Sequence, residues 1–332
     1  GGKLFNEVFG FDYHIAVFVS VTLILVYTLF GGFLAVSWTD VFQGLLMLLA
    51  LACVPVMVIS QSGGVGEFTS QISQTNPELL NIFTDANGDA LGLMFIVSTM
   101  GWGLGYFGQP HLLIRYMAIS SVREVKKARW IATIWAIPGI SGAFLIGIVG
   151  MAYFGEDFFI GKDPEIIMPL LAQTLLPGWL AGLLISGAVA AMMSTADSQL
   201  LVSTSAISED LGINAIKKRT ESDTLLNTRI ITILLGIFAY IVAMYSEYSG
   251  NTIFSIVSFA WSGLGSSFGP AILLALWWKK TTREGVIAGL FTGAITTLIW
   301  GSSPYLKSIV TERLSSFIFA FVMIIIVSKY KK

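Results

Sequence analysis

Long apolar stretches, each about as long as a membrane is thick, occupy most of this chain. A helix needs about 20 consecutive apolar residues to cross the ~30 Å hydrocarbon core of a bilayer. Short polar stretches separate the apolar segments, which are 13–36, 41–60, 91–118, 130–153, 178–206, 229–245, 253–278, 286–301 and 314–328. The pattern predicts an all-α membrane protein with about nine transmembrane helices, although 229–245 and 286–301 are short for a full span.

The polar connections between these segments differ in length and composition. Gly31 and Gly32 end the first predicted helix, and residues 37–40 lead into the second with hardly a loop. The longest connection, 61–90, is rich in Gly, Ser, Asn and Gln and predicts a surface loop with room for a short amphipathic helix. Residues 155–177 predict an acidic loop.

The composition agrees with a membrane protein and argues against several other classes. The chain is 55% hydrophobic and only 12% charged, with a mean hydropathy of +0.79, whereas soluble domains are ~25% charged. Its net charge of −1 gives no basic surface for nucleic acid. The sequence has no nucleotide-binding glycine loop, no Cys/His metal spacing and no nucleophile–base pair, so we do not expect an enzyme.

The distribution of Lys and Arg predicts the orientation of the helices, because cytoplasmic loops carry an excess of these residues. If the segments alternate across the membrane, one side holds only Lys3, Lys162, Lys307 and Arg313. All the other Lys and Arg residues fall on the opposite side. This pattern predicts an outer N-terminus and a cytoplasmic C-terminus.

One predicted helix, 91–118, contains a stretch that disfavours a continuous helix. Four glycines and a proline lie between Met100 and Pro110, and an interior Gly costs ~1 kcal/mol and a Pro ~3 kcal/mol relative to Ala. In a bilayer, non-helical backbone is tolerated only inside protein or beside a water-filled cavity, and interrupted helices are typical of solute sites in secondary transporters. Trp102 and Tyr106, one turn apart, would offer aromatic surface to a small solute. A kinked packing helix is the alternative.

A second polar feature lies in the segment 178–206. Ala191, Ser194, Thr195 and Ser198 have the i, i+3, i+4, i+7 spacing that places them on one helix face. Hydroxyl oxygens are hard ligands, and together with backbone carbonyls they would form a weakly charged site suited to Na⁺ rather than to a divalent metal. Helix packing through small polar residues explains the same spacing equally well.

Two carboxylates stand in or beside predicted transmembrane helices. Asp197 is the only carboxylate deep inside a predicted helix, and Asp40 lies at the entrance of the second helix with no Lys or Arg nearby in sequence. An ionisable residue in a membrane segment is a functional hypothesis by default, so one or both are candidates for binding a cation. A salt bridge, or a helix-cap role for Asp40, is the alternative.

Several stretches of the chain together resemble the sodium:solute symporter family, and within it the sodium/proline symporters. The resemblance covers essentially the whole chain, and its most specific motifs are GGFLAVSWTD (31–40), GWGLGYFGQPH (101–111), MST (193–195), SQLL (198–201), SEDL (208–211) and FGP (268–270). It implies a LeuT-like core of ten helices in two inverted repeats, within one membrane transporter domain over 1–332. The chain would begin at the fourth core helix and end with peripheral helices at 286–332.

The same resemblance implies roles for individual residues. The matching positions are Trp102, Tyr106 and Pro110 for the solute; Ala191, Ser194 and Thr195 for the principal sodium ion; and Asp40, Asp197 and Ser198 for a second sodium ion present in some members. Asp197 departs from the hydroxyl usual at its position. This departure either argues against the second site or makes that site bind cations more strongly.

The function that the resemblance implies is Na⁺-coupled uptake of L-proline across a bacterial plasma membrane. Another solute of the same family, such as pantothenate, a sugar or sialic acid, is the alternative within transport. From a different class, the membrane part of a sensor protein is the other alternative. The family's first three core helices supply half of both sites and are absent from this sequence, so the polypeptide is not expected to transport by itself.

Overall fold

The computed structural model describes residues 1–155, 158, 160–211, 221–250 and 252–330. Helices make up nearly all of their regular structure, which confirms the all-α prediction. Among the described residues, seven helices are long and apolar enough to cross a membrane, and Leu93–Gly108 is a shorter apolar stretch. In chain order the α-helices are α1 (Gly2–Phe9), α2 (Tyr13–Gln61), α3 (Val65–Thr75), α4 (Leu93–Met100), α5 (Trp102–Gly105), α6 (Pro110–Met117), α7 (Val122–Phe154), α8 (Ile167–Leu175), α9 (Gly178–Ser205), α10 (Glu221–Tyr248), α11 (Ile253–Trp277), α12 (Arg283–Ser302), α13 (Pro304–Ile309) and α14 (Glu312–Tyr330).

The chain divides into two compact units, each with its own helices. The first unit comprises Gly1–Gly88 and Ser121–Tyr248, and the second comprises Asp89–Ser120 and Ser249–Lys332. The first unit therefore holds α1–α3 and α7–α10, and the second holds α4–α6 and α11–α14.

The long helix α2 is interrupted at Gly32. It has 49 residues, more than one bilayer crossing requires, and its backbone is non-helical at Gly32, where φ is +60° and ψ is 179°. Glycine adopts a positive φ without the steric clash that a Cβ would cause. The prediction that Gly31 and Gly32 end the first helix is confirmed. The predicted boundaries at 36 and 41 were wrong, because residues 37–40 already lie in the helical segment that follows Gly32.

The connections 61–90 and 155–177 both contain helices. The first includes α3, for which the sequence left room, whereas the second was expected to be an acidic loop and instead includes α8. Leu171 and Ala172 of α8 are fully buried in the core of the first unit. The loop prediction was wrong because α8 has only nine residues, too few to stand out as an apolar segment.

The core of the first unit forms where α2, α7, α8 and α9 pack together. Val54, Val149 and Leu184, from three of these helices, are 2% exposed or less. Gly142 of α7 and Gly187 of α9 face backbone carbonyls of α2, with which a Cβ at either position would collide. Small residues thus let neighbouring helices approach closely, as is usual in membrane proteins.

The second unit is built on the contacts among α11, α12 and α14. Ala320 and Ile324 of α14 are fully buried. A Cβ at Gly289 would meet the side chain of Ile324, and a Cβ at Gly293 would lie 2.6 Å from the carbonyl oxygen of Ser266. The short helix α5 and the turn that follows it also pack against α11, which fixes the position of the interrupted stretch within this unit.

Candidate functional site

The predicted interruption in 91–118 is confirmed, and its sharpest point is Gln109. After α4 and α5 come a 3₁₀ turn at Tyr106–Gly108 and the extended residue Gln109 (φ −79°, ψ 113°), and α6 then begins at Pro110. A proline disfavours helical geometry in the residue before it, so Pro110 rather than the glycines breaks the helix. The side chain of Gln109 is 1% exposed, and its Nε2 donates to the carbonyls of Gly105 (3.2 Å) and Trp261 (3.3 Å). The hydrogen bond to Trp261 holds the non-helical residue Gln109 against α11.

Two glycines of this stretch, Gly105 and Gly108, permit close packing against α11 instead of unwinding the helix. Gly101 and Gly105 have right-handed helical angles, with φ of −57° and −63°. A Cβ at Gly108 would lie 2.6 Å from the backbone nitrogen of Gly269 and 2.7 Å from the carbonyl oxygen of Gly265. The backbone of the 3₁₀ turn therefore rests directly on the backbone of α11.

Trp102 and Tyr106, two of the predicted solute residues, meet in one aromatic cluster with Trp261 and Phe254 of α11. The ring of Trp261 lies 6.0 Å from that of Trp102 and 4.8 Å, edge to face, from that of Tyr106. Phe254 adds a ring 5.6 Å from Trp102, and the indole nitrogen of Trp261 donates to the carbonyl of Trp102 at 3.4 Å. Tyr106 remains 53% exposed, so the cluster presents aromatic surface with a hydroxyl at its edge. Pro110, the third predicted solute residue, is partly buried at the start of α6.

Sequence reasoning missed Arg313, which lies at the start of α14 in the same unit. Its guanidinium carbon is 4.4 Å from the centroid of the Trp102 ring, within the range of a cation–π interaction. In the sequence, Arg313 was considered only as one of the Lys and Arg residues whose distribution predicts the orientation of the helices. Its contact with Trp102 depends on the fold, because the two residues lie far apart along the chain.

The predicted sodium residues of α9 lie in the first unit and share one face, as their spacing requires. The hydroxyls of Ser194 and Thr195 both donate to the carbonyl of Ala191, at 3.0 and 3.1 Å. The hydroxyl of Ser198 donates to the carbonyl of Ser194 at 2.7 Å. Each hydroxyl uses its proton within the helix and retains oxygen lone pairs that can bind a cation.

Asp40 and Asp197 come together where α2 packs against α9. Asp197 is fully buried, and its Oδ1 accepts a hydrogen bond from the hydroxyl of Ser198 at 3.3 Å. Asp40 lies within α2 and not at a helix entrance, which excludes the helix-cap role. It is close enough to Asp197 for the two carboxylates to interact electrostatically. Two negative charges in a buried site repel each other, and either a bound cation or a proton on one carboxyl would relieve that repulsion.

Tyr27 is a further residue of this cluster that the sequence did not indicate. Its hydroxyl hydrogen-bonds to Thr39 Oγ1 and lies beside both Asp40 and Asp197. In a continuous helix, residues 12 apart are separated by ~18 Å along the axis. The bond therefore forms only because the chain turns at Gly32, and no pattern in the sequence pairs these two residues.

Known proteins of similar sequence include bacterial proline transporters. The model of the sodium:solute symporter family matches residues 1–293. The chain is 43% identical over 305 residues to the high-affinity proline transporter PutP of Bacillus subtilis, 40% identical over 333 residues to the osmoregulated proline transporter OpuE of the same strain, and 38% identical over 333 residues to the sodium/proline symporter of Escherichia coli K12. These matches cover 91%, 100% and 99% of the chain but only 63%, 66% and 64% of the relatives. The chain thus spans slightly less than two thirds of their length.

A solved structure has a similar fold. It is the substrate-bound, outward-open state of a Na⁺-coupled sialic acid symporter, which superimposes with a TM-score of 0.76 over 99% of this chain and 69% of that one. The sequences are 20% identical, so the likeness concerns the fold alone. It confirms the prediction of a LeuT-like transporter fold.

Proposed function

The chain belongs to the sodium:solute symporter family, and from that premise we propose that the protein is a secondary active transporter that couples Na⁺ entry to the uptake of L-proline. The observation that carries this proposal is the aromatic cluster of Trp102, Tyr106 and Trp261 at an interrupted helix. Supporting it, relatives named as proline transporters are 38–43% identical to the chain.

In this proposal the principal sodium ion binds at Ala191, Ser194 and Thr195. Both hydroxyls donate to one carbonyl, which fixes their oxygens side by side on the helix surface. Neutral oxygens suit a monovalent hard cation, because they bind it without the net negative charge that a divalent ion favours. Thr195 is exposed and Ser194 partly exposed, so an ion can reach both.

A second sodium ion is proposed at Asp40, Asp197 and Ser198. The buried carboxylate of Asp197 lies near that of Asp40, and a cation between them would offset their repulsion. Tyr27 would position this site, since its hydroxyl lies beside both carboxylates and is itself held by Thr39.

The solute is proposed to lie against Trp102 and Tyr106, with Pro110 fixing the bend that exposes them. The pyrrolidine ring of proline is compact and apolar, so it can pack on the face of an indole or phenol ring. The break at Gln109 provides the kind of irregular backbone on which transporters build solute sites.

We further propose a multi-pass protein of the bacterial plasma membrane with a cytoplasmic C-terminus. The sodium gradient would drive uptake together with the membrane potential, which contributes ~2.3 kcal/mol per charge per 100 mV. Residues 1–332 would belong to one membrane transporter domain, in which the helices from 286 onward are peripheral to the ten-helix core but can still contact it.

The proposal is tested by reconstituting the protein, expressed from its complete gene, into lipid vesicles. We expect uptake of radiolabelled L-proline when an inward Na⁺ gradient is imposed, and no uptake when K⁺ replaces Na⁺. Excess unlabelled proline should compete, whereas pantothenate, glucose and sialic acid should not. Uptake that is independent of Na⁺, or stronger competition by one of these other solutes, would contradict the proposal.

A further inference from the structure

Arg313, the second residue of α14, is a buried charge, and two of its side-chain nitrogens have no hydrogen-bond partner among the described residues. It is 8% exposed, and its Nε and Nη1 are shielded from solvent without a partner among the described residues. The ion pairs formed by those residues do not include it. Burying a charged group without compensation is costly, and buried polar groups in native proteins are nearly always satisfied by some partner. The two nitrogens therefore call for a ligand.

The place of Arg313 within its helix makes this cost greater. A helix N-terminus carries partial positive charge, so the first turn favours acidic residues and disfavours cations. Glu312 fits this rule, and its Oε1 accepts a hydrogen bond from the hydroxyl of Ser262 at 3.3 Å. Glu312 interacts electrostatically with Arg313 but forms no ion pair with it. Neither helix stability nor local pairing accounts for an arginine at this position.

The contacts of Arg313 direct it toward the aromatic cluster. Its guanidinium carbon lies 4.4 Å from the ring centroid of Trp102, and its own carbonyl accepts a hydrogen bond from Ser266 at 3.3 Å. The Cβ of Arg313 is 3.8 Å from the point where a Cβ at Gly101 would lie, an ordinary van der Waals separation, so the start of α14 lies beside the start of the interrupted stretch. The charge is thus held against the residue that the proposed solute contacts.

We infer that Arg313 determines solute specificity by receiving the carboxylate of an amino-acid solute that lies against Trp102. This inference rests on the proposed function, and it adds a chemical class: a solute with a free carboxylate. Guanidinium groups form strong, charge-assisted hydrogen bonds with carboxylates. Nε and Nη1 are both N–H donors, so the carboxylate of proline would satisfy nitrogens that otherwise lack partners. The ring of the same molecule would then remain on the aromatic surface.

The test compares two competitors that differ only at the carboxyl group. L-Proline and L-prolinamide are measured as inhibitors of labelled proline uptake, in vesicles that contain the wild type, Arg313→Gln, Arg313→Lys or Lys307→Gln. Lys307→Gln is the matched control, because it removes one positive charge from an exposed position of the same unit. The ratio of the two inhibition constants does not depend on how much protein is reconstituted. It can therefore be measured even for a variant that is poorly expressed.

We expect the wild type and Lys307→Gln to bind proline ~10-fold or more tightly than prolinamide, because a hydrogen bond to a charged group contributes that much. Arg313→Gln should lose most of this preference, mainly through weaker binding of proline, and Arg313→Lys should retain part of it. If both Arg313 variants keep the wild-type ratio, the inference is wrong and Arg313 only supports Trp102. Wild-type vesicles that take up no proline would instead contradict the proposed function itself.

Discussion

The residues of the two candidate sites, one in each unit, are held in place by different kinds of contact. In the first unit, oxygen atoms are placed by bonds within a single helix, as when Ser194 and Thr195 both donate to Ala191. In the second, aromatic rings are placed by contacts between helices that are far apart in sequence, as when Gln109 bonds to the carbonyl of Trp261. Spacing along α9 thus specifies the cation face (Ala191, Ser194 and Thr195), whereas the packing of α5, α11 and α14 specifies the solute face (Trp102, Tyr106 and Trp261). Substitutions in the cation face should change ion binding alone. Substitutions in the solute face should change both solute binding and helix packing.

The largest loss of uptake and stability is expected where the backbone of the 3₁₀ turn contacts the backbone of α11. Gly108→Ala would place a methyl group 2.6 Å from a backbone nitrogen of α11, where no flexible side chain can move aside. Overpacking of this kind typically costs ~1–3 kcal/mol and occasionally more. We expect proline uptake to be lost and the apparent melting temperature in detergent to fall.

Gly103→Ala is the control for this substitution. The two glycines are close in sequence, but beyond its own helix turn a Cβ at Gly103 would meet no atom of the described residues within 4 Å. Its uptake and melting temperature should remain near the wild-type values. Normal uptake by Gly108→Ala would show that the 3₁₀ turn and α11 can separate, and that the solute face does not depend on their contact.

The second largest effect is expected for substitutions in the cation face, which should weaken Na⁺ binding without disturbing helix packing. Ser194→Ala and Thr195→Ala each remove one oxygen from the proposed sodium site, and we expect the Na⁺ concentration for half-maximal uptake to rise ~10-fold, the equivalent of ~1.4 kcal/mol. Membrane abundance should change far less, because each hydroxyl bonds only within its own helix.

Ser186→Ala provides the matched control on the same helix. Its hydroxyl also donates to a carbonyl four residues earlier, at 2.8 Å, and it is exposed. It should leave the Na⁺ dependence unaltered. An unchanged Na⁺ dependence in Ser194→Ala and Thr195→Ala would refute the sodium assignment and leave helix packing as the explanation for the spacing of these residues.

The sequence predicts those features of each unit that depend on neighbouring residues of the chain. The hydroxyls of α9 were identified because helical periodicity alone places Ser194, Thr195 and Ser198 on one face. The break was predicted from four glycines and Pro110, and of these Pro110 causes it by acting on its immediate neighbour. Both are local effects. The apolar helices also followed from composition, apart from α8, which is too short to register as a span.

The missed residues depend on tertiary structure. Arg313 meets Trp102 only through the packing of α14, and Tyr27 meets Thr39 only because Gly32 takes a positive φ. Asp40 was placed at a helix entrance because the second helix was predicted to begin at 41, whereas the helical segment that contains Asp40 already begins after Gly32. No periodicity in the sequence carries such information, since each contact depends on one glycine or on one helix crossing.

A smaller change in Na⁺ dependence is expected when the proposed second sodium site loses one of its carboxylates. Asp197→Asn keeps the size of the buried side chain and removes its charge, so it should relieve the repulsion from Asp40. We expect the Na⁺ concentration for half-maximal uptake to rise ~3–10-fold, corresponding to about 1 kcal/mol, and the steepness of the Na⁺ dependence to fall. Glu67→Gln, which neutralises an exposed carboxylate of the same unit, is the control. A variant with the wild-type Na⁺ curve would show that Asp197 binds no coupling ion.

The smallest effect is expected away from both clusters, at an ion pair of the first unit. Lys3 lies 2.6 Å from Asp163 and 2.5 Å from Glu165. Burial alone would raise the pKa of Asp163, but the hydrogen bond from Lys3, the hydrogen bond from the backbone N–H of Glu165 and the charge of Lys3 together outweigh it and lower that pKa below its ordinary value of 3.8. Burial would likewise lower the pKa of Lys3, but its two carboxylate partners raise it above 10.5.

The stabilisation from this pair should therefore be present between about pH 4 and pH 10. It should be lost as the pH falls through the lowered pKa of Asp163, and again as the pH rises through the raised pKa of Lys3. The side chains are 20–34% exposed, so we expect Lys3→Gln to cost less than ~1 kcal/mol at pH 7. Melting temperatures in detergent at pH 7 and pH 3, compared with those of Lys162→Gln, measure the difference. An equal deficit at both pH values would show that Lys3 stabilises the unit by packing rather than by charge.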